Sequence, residues 1–259
     1  MSDQGAVRYQ RVGVAAHVIF DRPAARNAMT WTMYEQLAAA CAQIAADREV
    51  RVAVFRGAGG KAFVAGTDIG QFRDFKTAED GVEYERKVAE FLAHVEALRV
   101  PTLAVVEGWA IGGGLAIAAV CDLRIATPGS RFGVPIARTL GNCLSVESTA
   151  LLVAAFGVGR TRRMLLLAEM LSAEEAAAAG FLAEIVPPEN LDARVGELCA
   201  RLAGNAPVTM RVTKEAIRRL LHAGMPEGAD LVRQCYGSSD FHVGVEAFMA
   251  KQEPKWTGS

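Results

Sequence analysis

The feature that most constrains this chain is a glycine triplet placed between a strand pattern and a helix pattern. Residues 103–106 are apolar and predict a buried strand, residues 112–114 are all glycine and predict a tight turn, and an apolar helix follows through Cys121. The first amides of such a helix have no partner within it and lie at the positive end of its dipole. The turn can therefore hold negative charge, although glycines after strands also serve close packing.

A second glycine turn has the same placement. It follows the strand pattern of residues 52–55 and runs from Lys61 through Gly66 to Asp68, which is expected to cap a helix beginning near Ile69. Two sources of unpaired amides, brought together, would form an oxyanion hole. Each donor of such a hole stabilises charge on a carbonyl oxygen by about 2.7–4 kcal/mol.

The rest of the pattern predicts an α/β fold. A capping box of Ser172 and Glu175 starts a helix over residues 173–179, and the chain is mostly helical after Pro135. We expect a core over residues 1–204 and a helical C-terminal region over residues 205–259. Further strands are predicted at residues 14–20 and 123–126, and further helices at residues 30–46 and 69–98.

Composition excludes several classes of function. Lys and Arg total 28 against 29 Asp and Glu, so no net field attracts nucleic acid or an anionic membrane. The longest apolar runs are shorter than a membrane helix, and no secretory leader is recognised at the N-terminus, so a cytoplasmic protein is expected. The five cysteines are odd in number and form no C-x-x-C pair, so neither a disulfide frame nor a zinc knuckle is predicted. The four histidines form no i, i+4 pair, so no metal site is expected.

Three familiar catalytic motifs are also missing. The glycine triplet lacks the G-x-G-x-x-G spacing of a dinucleotide site and comes late in the chain. The chain has no G-x-S-x-G nucleophile elbow and no G-x-x-x-x-G-K-[ST] phosphate loop. These absences argue against an NAD-dependent dehydrogenase, a serine hydrolase of that type and a P-loop nucleotide hydrolase.

A series of segments follows the order found in one family over almost the whole chain. The segments are DRPAARNAM (21–29), FVAGTDI (63–69), VEGWAIGGG (106–114), CDLRIA (121–126), FGVP (132–135), LSAEEA (171–176), GFL (180–182) and GVEAFMAKQEP (244–254). Together they resemble the crotonase, or enoyl-CoA hydratase/isomerase, superfamily. The resemblance implies a spiral of repeated ββα units, followed by a C-terminal helical region that forms a homotrimer or a dimer of trimers.

The resemblance also implies a substrate and a set of binding residues. Family members bind acyl-CoA thioesters, with coenzyme A as part of the substrate and no separate cofactor. The resemblance places the two oxyanion amides at Ala65 and Gly113. It assigns CoA contacts to the stretch from Lys61 to Ala65, to the turn at Asp68 and Ile69, and to Arg26 beside the phosphates. Lys251 or Lys255 is expected to reach the CoA of a neighbouring subunit.

The chain departs from the family where proton transfer is expected. Hydratases of the family carry glutamates at the positions that Ala116 and Ile136 occupy here, and neither of these side chains can exchange a proton. Ordinary hydration is therefore not expected. In the loop after Pro135, Glu147 is the only carboxylate and becomes the candidate acid or base, beside small polar residues such as Asn142.

Further candidates for a proton donor are Asp74, Glu83, Tyr84 and Glu85 in the segment after the first glycine turn, although charges on a helix face are usually just exposed. Two functions stay open from the sequence. One is an enzyme that forms an enolate or a tetrahedral oxyanion on a CoA ester. The other is a non-catalytic protein of the same fold that binds CoA esters or acts in assembly.

Overall fold

The computed structural model describes residues 4–257. The strands in this part of the chain are β1 (Ala6–Val12), β2 (Ala15–Asp21), β3 (Val52–Gly57), β4 (Ala62–Val64), β5 (Thr102–Val106), β6 (Trp109–Ile111), β7 (Leu123–Ala126), β8 (Arg131–Gly133), β9 (Leu171–Ser172) and β10 (Glu184–Ile185). The α-helices are α1 (Trp31–Ala46), α2 (Ala78–Glu96), α3 (Gly113–Val120), α4 (Ile136–Thr139), α5 (Val146–Leu166), α6 (Ala173–Ala178), α7 (Leu191–Gly204), α8 (Pro207–His222), α9 (Ala229–Tyr236) and α10 (Ser239–Met249).

Two sheets are built from a repeated ββα unit. The larger has the order β1-β2-β3-β5-β7-β10 and the smaller the order β4-β6-β8-β9. In each unit the first strand (β3, β5, β7) joins the larger sheet, the second (β4, β6, β8) joins the smaller sheet, and a helix follows. The repeated strands pair in parallel within each sheet. The predicted spiral of ββα units is confirmed.

Both faces of the larger sheet are buried at its central strands β3 and β5. In β3, Ala53 and Phe55 face the main core, whereas Val52 and Val54 face a second cluster that includes Leu191 of α7. Successive side chains of a strand point to opposite faces, so a strand buried on both sides is apolar throughout. This explains why β3 and β5 appear in the sequence as continuous apolar runs.

The helix predicted over residues 69–98 is wrong at its start. Ile69–Phe72 forms a short 3-10 helix capped by Asp68, and α2 begins only at Ala78. The side chains of Thr77 and Asp80 form a reciprocal capping box, which satisfies free amides and sets a new helix start there. The predicted capping box of Ser172 and Glu175 is confirmed. The helix predicted from residue 30 begins at Trp31, with Thr30 as its N-cap.

The C-terminal part is helical, as predicted. Helix α8 contains no buried residue, whereas α9 and α10 each bury part of their apolar face. The boundary expected near Gly204 falls at the end of α7 and stays a prediction. Across residues 4–257, no helix combines the length and the apolar character needed to cross a membrane. The same residues hold no group of three or more His, Cys, Asp or Glu arranged to bind a metal ion.

Candidate functional site

The two glycine turns of the sequence meet in space. Strand β4 pairs in parallel with β6, so the turns that leave these strands lie side by side. A Cβ atom added to Gly113 would lie 3.5 Å from Thr67 Oγ1, and one added to Gly112 would lie 3.9 Å from the Cα of Gly66. The start of helix α3 therefore contacts the turn after β4.

Glycine is required in the triplet for two different reasons. Gly112 has a φ of +53°, a conformation that other residues rarely adopt. Gly114 lies so close to β4 that a Cβ atom would come within 2.0 Å of the carbonyl oxygen of Val64. The triplet thus holds α3 tightly against β4 and places its first amides next to Thr67.

Two amides in this contact are free to donate. Met29 pairs with the residues on either side of Thr67: its N–H donates to Gly66 O at 2.8 Å, and its carbonyl accepts from Asp68 N at 2.8 Å. The N–H of Thr67 consequently points away from Met29. Gly113 is the first residue of α3 and has no partner within the helix. No hydrogen bond of either N–H is found within the described part of the chain, residues 4–257.

The amide of Ala65, which the resemblance assigns as an oxyanion donor, is not free in this structure. Its N–H donates to the carbonyl oxygen of Arg26 at 3.1 Å and so is already paired. Gly66, with a φ of +94°, changes the direction of the chain between Ala65 and Thr67. The free amide is therefore that of Thr67. The sequence holds no local signal for this, because the pairing depends on the distant segment that carries Arg26.

A cluster of three buried hydroxyl groups, which we call the hydroxyl cluster, adjoins the two amides. Thr67 Oγ1 lies 2.9 Å from Tyr34 Oη and 2.9 Å from Tyr84 Oη. Burial raises the pKa of Tyr34 to about 12 and that of Tyr84 well above its usual value, so both phenols are neutral near pH 7. Sequence reasoning named Tyr84 as a donor but missed Tyr34 and Thr67.

Apolar side chains stand at the two positions where the family resemblance leads us to look for glutamates. Ala116 lies one turn after Gly113 and so on the same face of α3, and it is half-buried. Ile136 is the first residue of α4 and is also half-buried against the core. Neither position supplies a group that can transfer a proton.

Glu85 is a buried carboxyl group in a separate network. It accepts hydrogen bonds from the N–H of Ser145 and the hydroxyl of Tyr236, both at 2.9 Å. Tyr236 Oη in turn accepts from Asn142 Nδ2 at 3.1 Å. Burial raises the pKa of Glu85 to about 7, with the charge of Glu147 adding to the effect. The network ties α2 to α9 and to the start of α5.

Glu147, the predicted acid or base, is not brought to the amide pair. It is exposed on the first turn of α5 and lines a cavity of about 130 Å³ together with Leu92 and Val120. Val120 ends the helix that Gly113 begins, roughly 10 Å further along the axis. A direct role for Glu147 would need a substrate that reaches this far end of α3.

The predicted CoA-binding residues fall into two groups. Arg26 and Lys61 are both exposed and lie close together, because Asn27 Nδ2 donates to the carbonyl oxygen of Ala62 at 2.8 Å. The carboxylate of Asp68 is occupied: it forms an ion pair with Arg22 at 2.7 Å and accepts from the N–H of Gly70 at 2.9 Å.

Ile69 is half-buried, and its side chain packs the first glycine turn against the main core. Lys251 is exposed just after α10, and its contact with a neighbouring subunit stays a prediction. The exposed cations Arg26 and Lys61 are therefore the charges that the structure leaves available beside the first glycine turn.

Comparison with known proteins agrees with the motifs and the fold. The profile of the family described as enoyl-CoA hydratase/isomerase matches residues 11–259. The short-chain-enoyl-CoA hydratase of Clostridium acetobutylicum is 30% identical over 248 residues, which cover 94% of each chain. A crystal structure of an enoyl-CoA hydratase/carnithine racemase from Magnetospirillum magneticum has a TM-score of 0.80 at 32% identity, covering 98% of this chain and 96% of that one. Methylmalonyl-CoA decarboxylase shares the fold, with a TM-score of 0.89 at 24% identity over 98% of each chain. The chain belongs to the enoyl-CoA hydratase/isomerase family.

Proposed function

We propose that this protein is an enzyme that holds the thioester carbonyl of an acyl-CoA between the amides of Thr67 and Gly113. The observation that carries the proposal is the contact of two glycine turns, each with an unpaired N–H beside the other. Fixed donors of this kind stabilise the negative charge of an enolate or a tetrahedral intermediate. The similarity to a short-chain-enoyl-CoA hydratase supports a CoA ester as the substrate.

The exposed side chains of Arg26 and Lys61 suit the phosphates of coenzyme A. Both are exposed and belong to segments joined by the hydrogen bond from Asn27 to Ala62, so the nucleotide would rest on the surface while the acyl group enters between the turns. Lys251 of a neighbouring subunit would add a further cation if the chain assembles as a trimer. Asp68 would keep the turn in shape through its ion pair with Arg22.

The proposed chemistry is not the usual hydration. Ala116 and Ile136 supply no acid or base, and each such group typically contributes about 10² to 10⁴-fold to the rate. Reactions that need mainly oxyanion stabilisation remain. One is loss of CO₂ from a malonyl-type ester, which leaves an enolate that then takes up a proton, and the other is attack of water on the thioester carbonyl, which releases the free acid and the coenzyme A thiol. The same two apolar residues favour one alternative, a protein that binds CoA esters without transforming them.

A panel of CoA esters tests the proposal. The protein is incubated with crotonyl-CoA, butyryl-CoA and methylmalonyl-CoA, and the products are followed by mass spectrometry, with Lys61→Glu as a variant of the binding surface. We expect slow hydration of crotonyl-CoA, turnover of another ester, and weaker binding by the variant. Fast hydration of crotonyl-CoA would contradict the argument from Ala116 and Ile136. Tight binding without turnover of any ester would favour the non-catalytic alternative.

A further inference from the structure

Two of the five cysteines are in contact in a part of the fold that the proposed acyl-CoA site does not use. Cys143 belongs to the irregular segment 140–145 between α4 and α5, and Cys235 lies in the last turn of α9. The sulfur of Cys235 lies 3.2 Å from Gly141 O. The sulfur of Cys143 lies 3.9 Å from Leu231 O, and the two thiols form a hydrogen bond with each other. Each sulfur thus contacts the segment that carries the other.

These two thiols are more accessible than the other three. Cys143 and Cys235 are half-buried, whereas the remaining cysteines are almost fully buried. Cys41 and Cys121 are each 3% exposed, and burial raises the pKa of both to about 12. Burial also raises the pKa of Cys199. A thiol that is buried and protonated reacts poorly with oxidants, so the fold singles out one reactive pair.

The hydrogen bond between the two thiols gives them different roles. It lowers the pKa of Cys235, whose sulfur accepts the bond, and it raises the pKa of Cys143, which donates it. Burial and the carboxyl group of Glu85 act against ionisation of Cys235 but are the smaller effects. Cys235 is therefore the thiol that ionises first, with a protonated thiol beside it. Cysteines that sense oxidants are accessible, have a low pKa and lie next to a second cysteine that resolves the product.

We propose that Cys143 and Cys235 are a site of reversible oxidation, at which a hydroperoxide converts the two thiols to a disulfide. The Cys235 thiolate attacks one peroxide oxygen, and the O–O bond breaks. Cys235 becomes a sulfenic acid, and the leaving oxygen takes up the proton that the thiol released. The sulfur of Cys143 then attacks the sulfenic sulfur, the S–O bond breaks, and the hydroxyl leaves as water with the proton of Cys143. The two sulfur atoms lose two electrons, which the peroxide accepts.

The disulfide would join two segments that already meet at Glu85. This carboxyl group accepts from the N–H of Ser145, in the segment 140–145, and from the hydroxyl of Tyr236, next to Cys235. A disulfide needs a sulfur–sulfur distance of about 2.05 Å, which is shorter than a hydrogen bond, so the segment must move toward α9. The segment has no regular secondary structure that would resist this shift. Oxidation therefore fastens the segment after α4 onto α9, and a dithiol reductant releases it.

Peptide mass spectrometry of the oxidised protein tests the site. The whole chain is treated with hydrogen peroxide at neutral pH, free thiols are blocked with N-ethylmaleimide, and the protein is digested with trypsin without reduction. Trypsin cuts after Arg138 and Arg233, so the two cysteines fall in different peptides. We expect a linked peptide pair that joins Cys143 to Cys235 and is lost after treatment with dithiothreitol.

Two variants separate the roles of the thiols. In Cys143→Ser the second step cannot occur, so we expect a sulfenic acid on Cys235 that dimedone traps. The control is Cys199→Ser, which should form the linked pair as the wild type does. In the untreated wild type, iodoacetamide should modify Cys235 roughly tenfold faster than Cys199, because more of Cys235 is thiolate.

Several outcomes would overturn the inference, and the first two need no variant. One is oxidation of exposed Met249 without a linked pair of Cys143 and Cys235. Another is a linked pair of Cys41 and Cys121 that forms as fast, since burial would then not protect a thiol. A dimedone adduct on Cys143 in Cys235→Ser, with none on Cys235 in Cys143→Ser, would reverse the two roles and contradict the argument from the hydrogen bond.

Discussion

Glu85 is a single residue whose ionisation works against the folded state. Its carboxyl group is buried, and its two hydrogen bonds offset only part of the cost of burying a charge, so its pKa is raised to about 7. The group binds its proton more tightly in the folded state than in the unfolded one. The stabilisation that the proton on Glu85 contributes to the folded state is therefore fully present below the unfolded pKa near 4.5. It is lost as the pH rises through the folded pKa of about 7.

We expect Glu85→Gln to remove this pH dependence. In the wild type, the free energy of unfolding should fall by roughly 3 kcal/mol in total as pH rises from below 4.5 to above 7, and the variant should lack this decrease. Urea unfolding at a series of pH values measures the free energy of unfolding of both proteins, and Glu90→Gln on the exposed face of α2 is the control. Identical pH profiles for wild type and Glu85→Gln would show that Glu85 titrates normally.

At the scale of elements, helix α3 is fixed at its two ends by different interactions. Its first turn contacts the turn after β4 through the glycine triplet. At its other end, Arg124 donates to the carbonyl oxygens of Ala118 at 3.2 Å and Ala119 at 3.3 Å, and also to that of Cys121. The same guanidinium donates to Phe181 O at 2.7 Å and lies 4.7 Å from the ring of Phe181. One planar group thus satisfies the carbonyls that the helix end leaves unpaired.

Arg124→Lys should destabilise the fold even though the charge is kept. A lysine ammonium cannot reach the carbonyls on both sides of the guanidinium, so buried acceptors lose their donors at a cost of about 3 kcal/mol. Urea denaturation measures the loss. Arg86→Lys on the exposed face of α2 serves as the control. The ion pairs of Arg86 with Glu83 and Glu90 are at the surface and should contribute little to the free energy of unfolding. If Arg124→Lys lowers the free energy of unfolding as little as Arg86→Lys does, this account of the helix end is contradicted.

At the scale of the whole molecule, α8 is an amphipathic helix with an uncovered apolar side. Val212 is 58% exposed, Ile217 53% and Leu220 76%. A cavity of about 600 Å³ lies between this helix and the core, and it is lined by residues of α3, α5 and α8. Apolar surface of this kind is typical of a contact with another chain. This agrees with the oligomer that the family resemblance predicts.

We expect the protein to form a trimer or a dimer of trimers. Light scattering at micromolar concentration measures the mass, and the double variant Val212→Glu with Leu220→Glu should shift it toward the monomer, because charges on the uncovered side oppose burial. Arg201→Glu on α7 is the control and should leave the mass unchanged. A monomeric wild type would remove the basis for a contact between Lys251 and a neighbour's CoA.

Much of the fold could be predicted from short stretches of sequence. The capping box at Ser172, the two glycine turns and four strands of the larger sheet, β2, β3, β5 and β7, all depend on residues a few positions apart, so their signals are local. The order of the motifs along the chain was enough to predict the spiral of ββα units. The wrong start of the helix predicted over residues 69–98 also comes from a local signal. A helical pattern runs through this segment, whereas the capping box of Thr77 and Asp80 starts α2 only at Ala78.

Which groups meet at the site was decided only by the tertiary structure. The N–H of Ala65 is paired with the carbonyl oxygen of Arg26, and beyond Gly66, with its φ of +94°, the N–H of Thr67 is the one left unpaired. The hydroxyl cluster joins α1, the first glycine turn and α2, and no local pattern connects these segments. By itself, therefore, the sequence determined the elements, the turns and the absence of glutamates at positions 116 and 136. The direction of each N–H and the contacts of each hydroxyl depend on long-range pairing of strands and packing of helices, which no stretch of a few residues encodes.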